Sequence, residues 1–108
     1  MKLVQCILRP EKLEEVIDAL ERFTEGVTVC EVRGHGRQRG HKIVYRGREY
    51  RTGLLPKVMI EVVSDESWVD DVIKVVVETA RTGEIGDGRI FILPVDESYQ
   101  VRTGFMDI

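Results

Sequence analysis

Two glycine-rich segments carry the side chains of this chain best suited to holding an anion. The first is GHGRQRGH, residues 34–41. Gly34, Gly36 and Gly40 allow close backbone approach and positive φ angles. Arg37 and Arg39 can donate paired hydrogen bonds to phosphate or carboxylate oxygens. Gln38 can donate or accept, and its carbonyl oxygen is a magnesium ligand of the right kind. The second segment is TGEIGDGRIF, residues 82–91, where exposed backbone N–H groups and Arg89 would make a phosphate cradle. A plainer use of the same residues is a connecting turn with Asp87–Gly88 at its tight point. A third piece, Arg102–Thr103–Gly104, lies near the C-terminus. No piece is specific alone, and the Gly-x-Gly at 34–36 does not open a helix as a dinucleotide fingerprint does. Together they point to a site assembled by folding, with a contribution from more than one subunit.

Other chemistries find less support. Cys6 and Cys30 are separated by 23 residues, unlike the short spacing of a zinc finger, so buried, inert thiols in apolar strands are expected. Neither His35 nor His41 has a nucleophile partner, and no Ser–His–acid arrangement emerges. Glu11, Glu14, Glu15 and Asp18 fall on one helical face, which reads as a solvated surface.

The elements that must position these residues form two matching halves. Lys2–Arg9 is strand-like and stops before Pro10, which suits the first turn of a helix. Leu13, Val16, Ile17, Leu20 and Phe23 then recur at helical spacing, so a helix is expected over Glu11–Phe23. Gly26 marks its exit, and Val27–Val32 is β-branched. In the second half, Leu55–Val63 is a strand with Val58, Ile60 and Val62 on one side. Ser64 and Asp65 are N-cap candidates for a helix carrying Trp68, Val69, Val72, Ile73, Val76 and Ala80. Gly83 offers its stop, Arg89–Val95 is the next strand, and Tyr99–Arg102 a short extension. The order is βαβ, a long loop, then βαβ. The economical solution is an α+β, ferredoxin-like βαββαβ fold with a four-stranded antiparallel sheet and two helices on one face. Leu3, Ile7, Phe91 and Leu93 then leave the second face apolar, which self-association would bury.

The chain of 108 residues is one domain, 1–108, with 43% hydrophobic residues, and disorder is not expected. Its net charge of -3 is unevenly spread: residues 33–51 carry +6 and the remainder -9. A general nucleic-acid coat is thereby excluded. No apolar run approaches the roughly 20 residues that span a bilayer, and the first ten residues lack a signal peptide's pattern, so a cytoplasmic location is expected. Between Val32 and Leu55 some 22 residues show no clear core periodicity. A loop of that length with glycine, arginine and tyrosine concentrated in it is read as functional.

The ordered combination of EVRGHGRQRGH (31–41), YRGREY (45–50), LLPKVMIEVV (54–63), TGEIGDGRIF (82–91) and VRTG (101–104) resembles the PII nitrogen-regulatory signal-transduction proteins. The resemblance runs over nearly the whole chain. It implies a homotrimer of ferredoxin-like subunits with a long T-loop at about residues 36–54. It also implies competitive ATP or ADP binding between subunits, and sensing of 2-oxoglutarate together with Mg-ATP. The T-loop would then control a transporter, an enzyme or a transcription regulator of nitrogen and carbon metabolism, with membrane contact only through such a protein.

Carried over by position, Gly86, Asp87, Gly88 and Arg89 match the family's phosphate-holding B-loop, with Arg89 where lysine is usual. Thr28, Gly36, Arg37 and Val63 match the other side of the nucleotide cleft, and Arg102 its C-terminal part. Gln38 matches the magnesium-coordinating residue, Lys57 the cation for a 2-oxoglutarate carboxylate, and Gly40 the same binding turn. Gln100 departs from the family by replacing an arginine, which removes a cationic donor for phosphate. Tyr50 stands at the nucleotidylated tyrosine and would require a tyrosine nucleotidyltransferase. Arg48 replaces the serine phosphorylated in some members, so that switch is absent.

Catalysis is not the expected activity. Two other readings stay open: an adenine-nucleotide sensor without a 2-oxoglutarate response, and a small phosphate-handling hydrolase on the same fold. Direct nucleic-acid binding is not expected, because LPKVMIEVV lacks the aromatic stacking residues of RNA-recognition sheets.

Overall fold

A computed structural model describes residues 1–24, 26–35, 43–50 and 54–107. Strands β1 (Lys2–Leu8), β2 (Thr28–His35), β5 (Leu54–Ser64) and β6 (Gly88–Pro94) form one antiparallel sheet in the order β2-β5-β1-β6. Helices α1 (Leu13–Leu20) and α2 (Val69–Ala80) pack on one face of it. This is the expected ferredoxin-like α+β fold, with β1 and β5 central.

Alternation decides the faces. Val4, Cys6 and Leu8 of β1 and Val58, Ile60 and Val62 of β5 point to the helices and are buried. They meet Val16 and Leu20 of α1 and Val72, Val76 and Ala80 of α2, whose four-residue spacing makes a single stripe on each helix. Burial in this core pushes the Cys6 thiol pKa up to about 11. The register pairs Ile7 with Arg89, Gln5 with Phe91 and Leu3 with Leu93, so all six side chains share the opposite face. Among the described residues no helix covers that face. Phe91, Leu93 and Val63 keep 42%, 39% and 46% of their surface exposed.

Both helices enter through a 3-10 turn, at Pro10–Lys12 and Glu66–Trp68. The first α-helix is therefore shorter than the expected Glu11–Phe23. Asp65 caps the second turn as expected, accepting from the Ser67 N–H at 3.1 Å. Ser64 instead is buried, and its hydroxyl donates to the Asp65 carbonyl.

Two expectations need correction. Cys30 is exposed, because edge strand β2 turns it to the uncovered face beside Met59. The stretch from Val32 to Leu55 is also more structured than its periodicity implied. β2 continues to His35, β5 begins at Leu54, and β3 (Ile43–Tyr45) and β4 (Arg48–Tyr50) pair as a hairpin. Three-residue strands are too short to register as alternation. Their turn residues Arg46 and Gly47 both have positive φ, 53° and 77°, as a two-residue primed turn requires. From that turn Arg46 donates to the Glu31 carboxylate on β2. Among the described residues no helix is long and apolar enough to cross a membrane.

Candidate functional site

The loop joining α2 to β6 is held by one carboxylate. Asp87 Oδ2 accepts from the backbone N–H groups of Thr82 and Gly83 at 2.9 and 2.8 Å. Asp87 Oδ1 accepts from the Thr82 hydroxyl and from Arg9 Nε, the latter at 3.1 Å. The Thr82 hydroxyl, the two N–H groups and Arg9 hold the Asp87 carboxyl well below the usual carboxylate range, against partial burial. Asp87 therefore faces into its own loop and closes it. Gly83, Gly86 and Gly88 take φ of 91°, 103° and 114°. At Gly88 the requirement is steric as well, since a Cβ there would stand 1.9 Å from the Ile7 carbonyl oxygen.

Two cations meet this loop from the sheet. Arg9 Nη2 donates to the Ile85 carbonyl at 2.8 Å, and Lys57 Nζ to the Gly86 carbonyl at 2.6 Å. Partial burial and the nearby Arg9 charge lower the Lys57 pKa, while Glu11 and Asp87 pull it back. A cleft of about 460 Å³ opens here, bounded by loop residues 83–88, Ile7, His35, Leu55, Lys57 and Arg89. Leu55 belongs to it for a reason of parity: with Lys57 it occupies the sheet face away from the helices. A pocket with cations, glycine backbone and an apolar wall is suited to a small anion with an apolar part.

The structure thus brings together Gly86, Asp87, Gly88, Arg89 and Lys57. It sets Thr28 and Val63 apart from them. Thr28 pairs with Glu61 and Val63 with Leu3, four to six residues along β5 from Lys57, or roughly 13–20 Å at strand spacing. Gln100 and Arg102 lie in the C-terminal turn, where the Gln100 N–H donates to the Phe105 carbonyl and the Gly104 N–H to the Gln100 carbonyl. The Gln100 side-chain oxygen accepts from the Thr103 hydroxyl at 3.3 Å. Tyr50 ends β4, opposite Ile43. Gly36, Arg37, Gln38 and Gly40 lie outside the described residues. Among the described residues no group of three or more His, Cys, Asp or Glu is placed to hold a metal ion.

Sequence reasoning missed Arg9, Thr82 and Gly83. Arg9 is 78 residues from Asp87, and the only local signal is a cation at the end of a strand before proline. Strand register supplies the partner, because the β1–β6 ladder ends at Leu8 opposite Gly88 and its next step sets Arg9 against Asp87.

Comparison with known proteins agrees with this architecture. Residues 1–105 match the family model described as Nitrogen regulatory protein P-II. The chain is similar to nitrogen regulatory protein P-II 2 of Methanothermobacter thermautotrophicus, 55% identical over 96% of this chain and 91% of the relative. It is 54% identical to the nitrogen regulatory protein P-II of Synechocystis, over 99% of this chain and 96% of the relative. The Azospirillum brasilense protein of the same name is 49% identical over 96% and 94%.

Proposed function

The chain belongs to the nitrogen regulatory protein P-II family, and on that premise we propose that it senses adenine nucleotides and 2-oxoglutarate and reports them through its T-loop. The coarse role, signal transduction in nitrogen regulation by a protein that acts on other proteins, comes with the family. The observation carrying the finer reading is the cleft itself. Lys57 and Arg89 border a glycine loop whose backbone is tied down before any ligand arrives. Phosphate oxygens would meet Arg89 and the loop N–H groups of residues 86–88. Gln38 would join a magnesium ion held by ATP, and Lys57 and Gly40 would receive the metabolite carboxylate.

Assembly as a homotrimer completes this reading in two ways. It covers the apolar face of Leu3, Val63, Phe91 and Leu93. It also allows Thr28 and Val63 of one subunit, which a single chain keeps away from the glycine loop, to approach the loop of another, and Gln100 and Arg102 to join them. Tyr50 in the T-loop hairpin would be the acceptor for a tyrosine nucleotidyltransferase, and the same loop would meet the regulated transporter, enzyme or transcription regulator.

One observation favours a second reading, an adenine-nucleotide sensor without a 2-oxoglutarate response. Lys57 already donates one of its N–H groups to the Gly86 carbonyl, so a metabolite carboxylate would have to share the ammonium with the loop. Calorimetry with ATP, ADP and AMP, each with and without magnesium and 2-oxoglutarate, tests both. The first reading expects 2-oxoglutarate heat only with Mg-ATP, and its absence at millimolar metabolite leaves the second. Absence of nucleotide binding overturns both. Light scattering should give about three times the 12.4 kDa chain mass.

A further inference from the structure

The two central carbonyls of the 82–88 loop are drawn toward cations of the sheet. Arg9 takes Ile85 O and Lys57 takes Gly86 O. The two cations are near neighbours, since they hold the carbonyls of adjacent residues. The described chain contains no cis peptide bond. In a planar trans peptide the N–H points opposite to the C=O of the same unit. The Gly86 and Asp87 N–H groups are therefore sent away from the cations, which is how successive backbone donors form an anion-binding concavity.

We propose that Arg9 is a positioning residue for this cradle: anchored on Asp87 and on the Ile85 carbonyl, it sets the direction in which the Gly86 and Asp87 N–H groups face an anionic ligand. Arg9 fits the task locally. It precedes Pro10, which restricts it to extended backbone, and it has φ -63° and ψ 136°. Its side chain is only 16% exposed. Its planar fork serves Asp87 through Nε and Ile85 through Nη2 at once, which a lysine ammonium cannot reproduce. Lys57, arriving from β5, holds the next carbonyl, while Arg9 is the cation on the Ile85 carbonyl and fixes the rotation of the Ile85–Gly86 peptide.

The inference rests on the cleft being an anion site, and its test separates the two claims. Wild type, Arg9→Ala, Arg9→Lys, Asp87→Ala and the Arg9→Ala/Asp87→Ala double variant are titrated with Mg-ATP and with inorganic tripolyphosphate. Hydrogen exchange is followed at the Thr82 and Gly83 amides. Arg9→Ala should weaken both ligands about tenfold, the worth of one charge-assisted contact, with an unchanged far-ultraviolet spectrum. Arg9→Lys should fall between Ala and wild type, and the double variant should lose no more than the worse single one. The Thr82 and Gly83 amides should exchange faster in Arg9→Ala. Unchanged affinity, or losses that add in the double variant, would overturn the proposal. If wild type binds neither ligand, the anion site falls, and unchanged exchange in Arg9→Ala would then overturn the positioning role too. Should Arg9→Ala fail to fold, Arg9→Gln, which keeps a donor without the charge, takes its place under the same criteria.

Discussion

The two halves of the chain place equivalent residues in equivalent positions and use them differently. Arg9 and Asp65 each follow a central strand, each sits in extended backbone, and each opens a 3-10 turn leading into a helix. Asp65 spends its side chain locally, capping the Ser67 N–H and hydroxyl. The Arg9 side chain caps nothing and reaches instead to Asp87, beside it at the end of the β1–β6 ladder. The links that follow the helices differ in the same sense. After α1, the Thr24 hydroxyl bonds, among the described residues, with Gly26 two residues on. After α2, Thr82 and Gly83 are gathered by Asp87, itself gripped by Arg9, while Lys57 takes Gly86. A repeated fold makes two such links. Long-range charge–dipole contacts tie one of them down, and the other remains a local turn.

The sharpest way to break this comparison is with the glycines. Gly88→Ala forces a Cβ into the Ile7 carbonyl at φ 114°, and should cost more than about 3 kcal/mol or prevent folding. Gly26→Ala meets nothing within 4 Å and should change stability by no more than about 0.5 kcal/mol. Urea unfolding followed through Trp68, the single tryptophan, at one fixed protein concentration reads both. Similar losses would mean that the second link is no more constrained than the first.

Acid provides a second, smaller contrast. The folded-state pKa of Asp87 is depressed, so between its folded and unfolded values the unfolded chain binds more protons and stability rises with pH. The Asp87 contribution is full above the ordinary carboxylate pKa of about 3.9 and is lost as pH falls through the folded value. Asp87→Asn should remove that part of the acid-side slope and lower stability at pH 7. Asp65, also depressed but exposed and held mainly by Ser67, carries a shallower part of the slope, so Asp65→Asn should remove less of it. Unfolding midpoints measured from pH 7 to pH 3 distinguish them, and a steeper loss for Asp65→Asn would reverse the assignment of which carboxylate matters.

The smallest expected effect concerns the threonines. Thr82→Val removes the hydroxyl that meets Asp87 and the acceptor for the Glu84 N–H, and should cost about 1 kcal/mol. Thr24→Val removes only an exposed local turn bond and should stay within about 0.5 kcal/mol. Equal thermal shifts would show that the network around Asp87 adds nothing beyond a local turn.

Much of the fold was legible because it depends on period. The helical stripe of Val72, Val76 and Ala80, and the alternation that sends Val58, Ile60 and Val62 to one side, are one-dimensional signals that burial then obeys. The apolar second face could be read the same way, from Phe91 and Leu93 against Ile90 and Ile92. Residue type alone marked TGEIGDGRIF as a turn able to hold an anion, and the ordered set of segments placed the chain in its family. What the sequence could not contain is who meets whom. Nothing local links Arg9 to Asp87 or Lys57 to Gly86, because those contacts exist only once the β1–β6 and β1–β5 registers are set. The same tertiary decision exposed Cys30, by making β2 an edge strand. It turned Asp87 inward to hold its own loop, because a carboxylate surrounded by four donors is more stable there than in water.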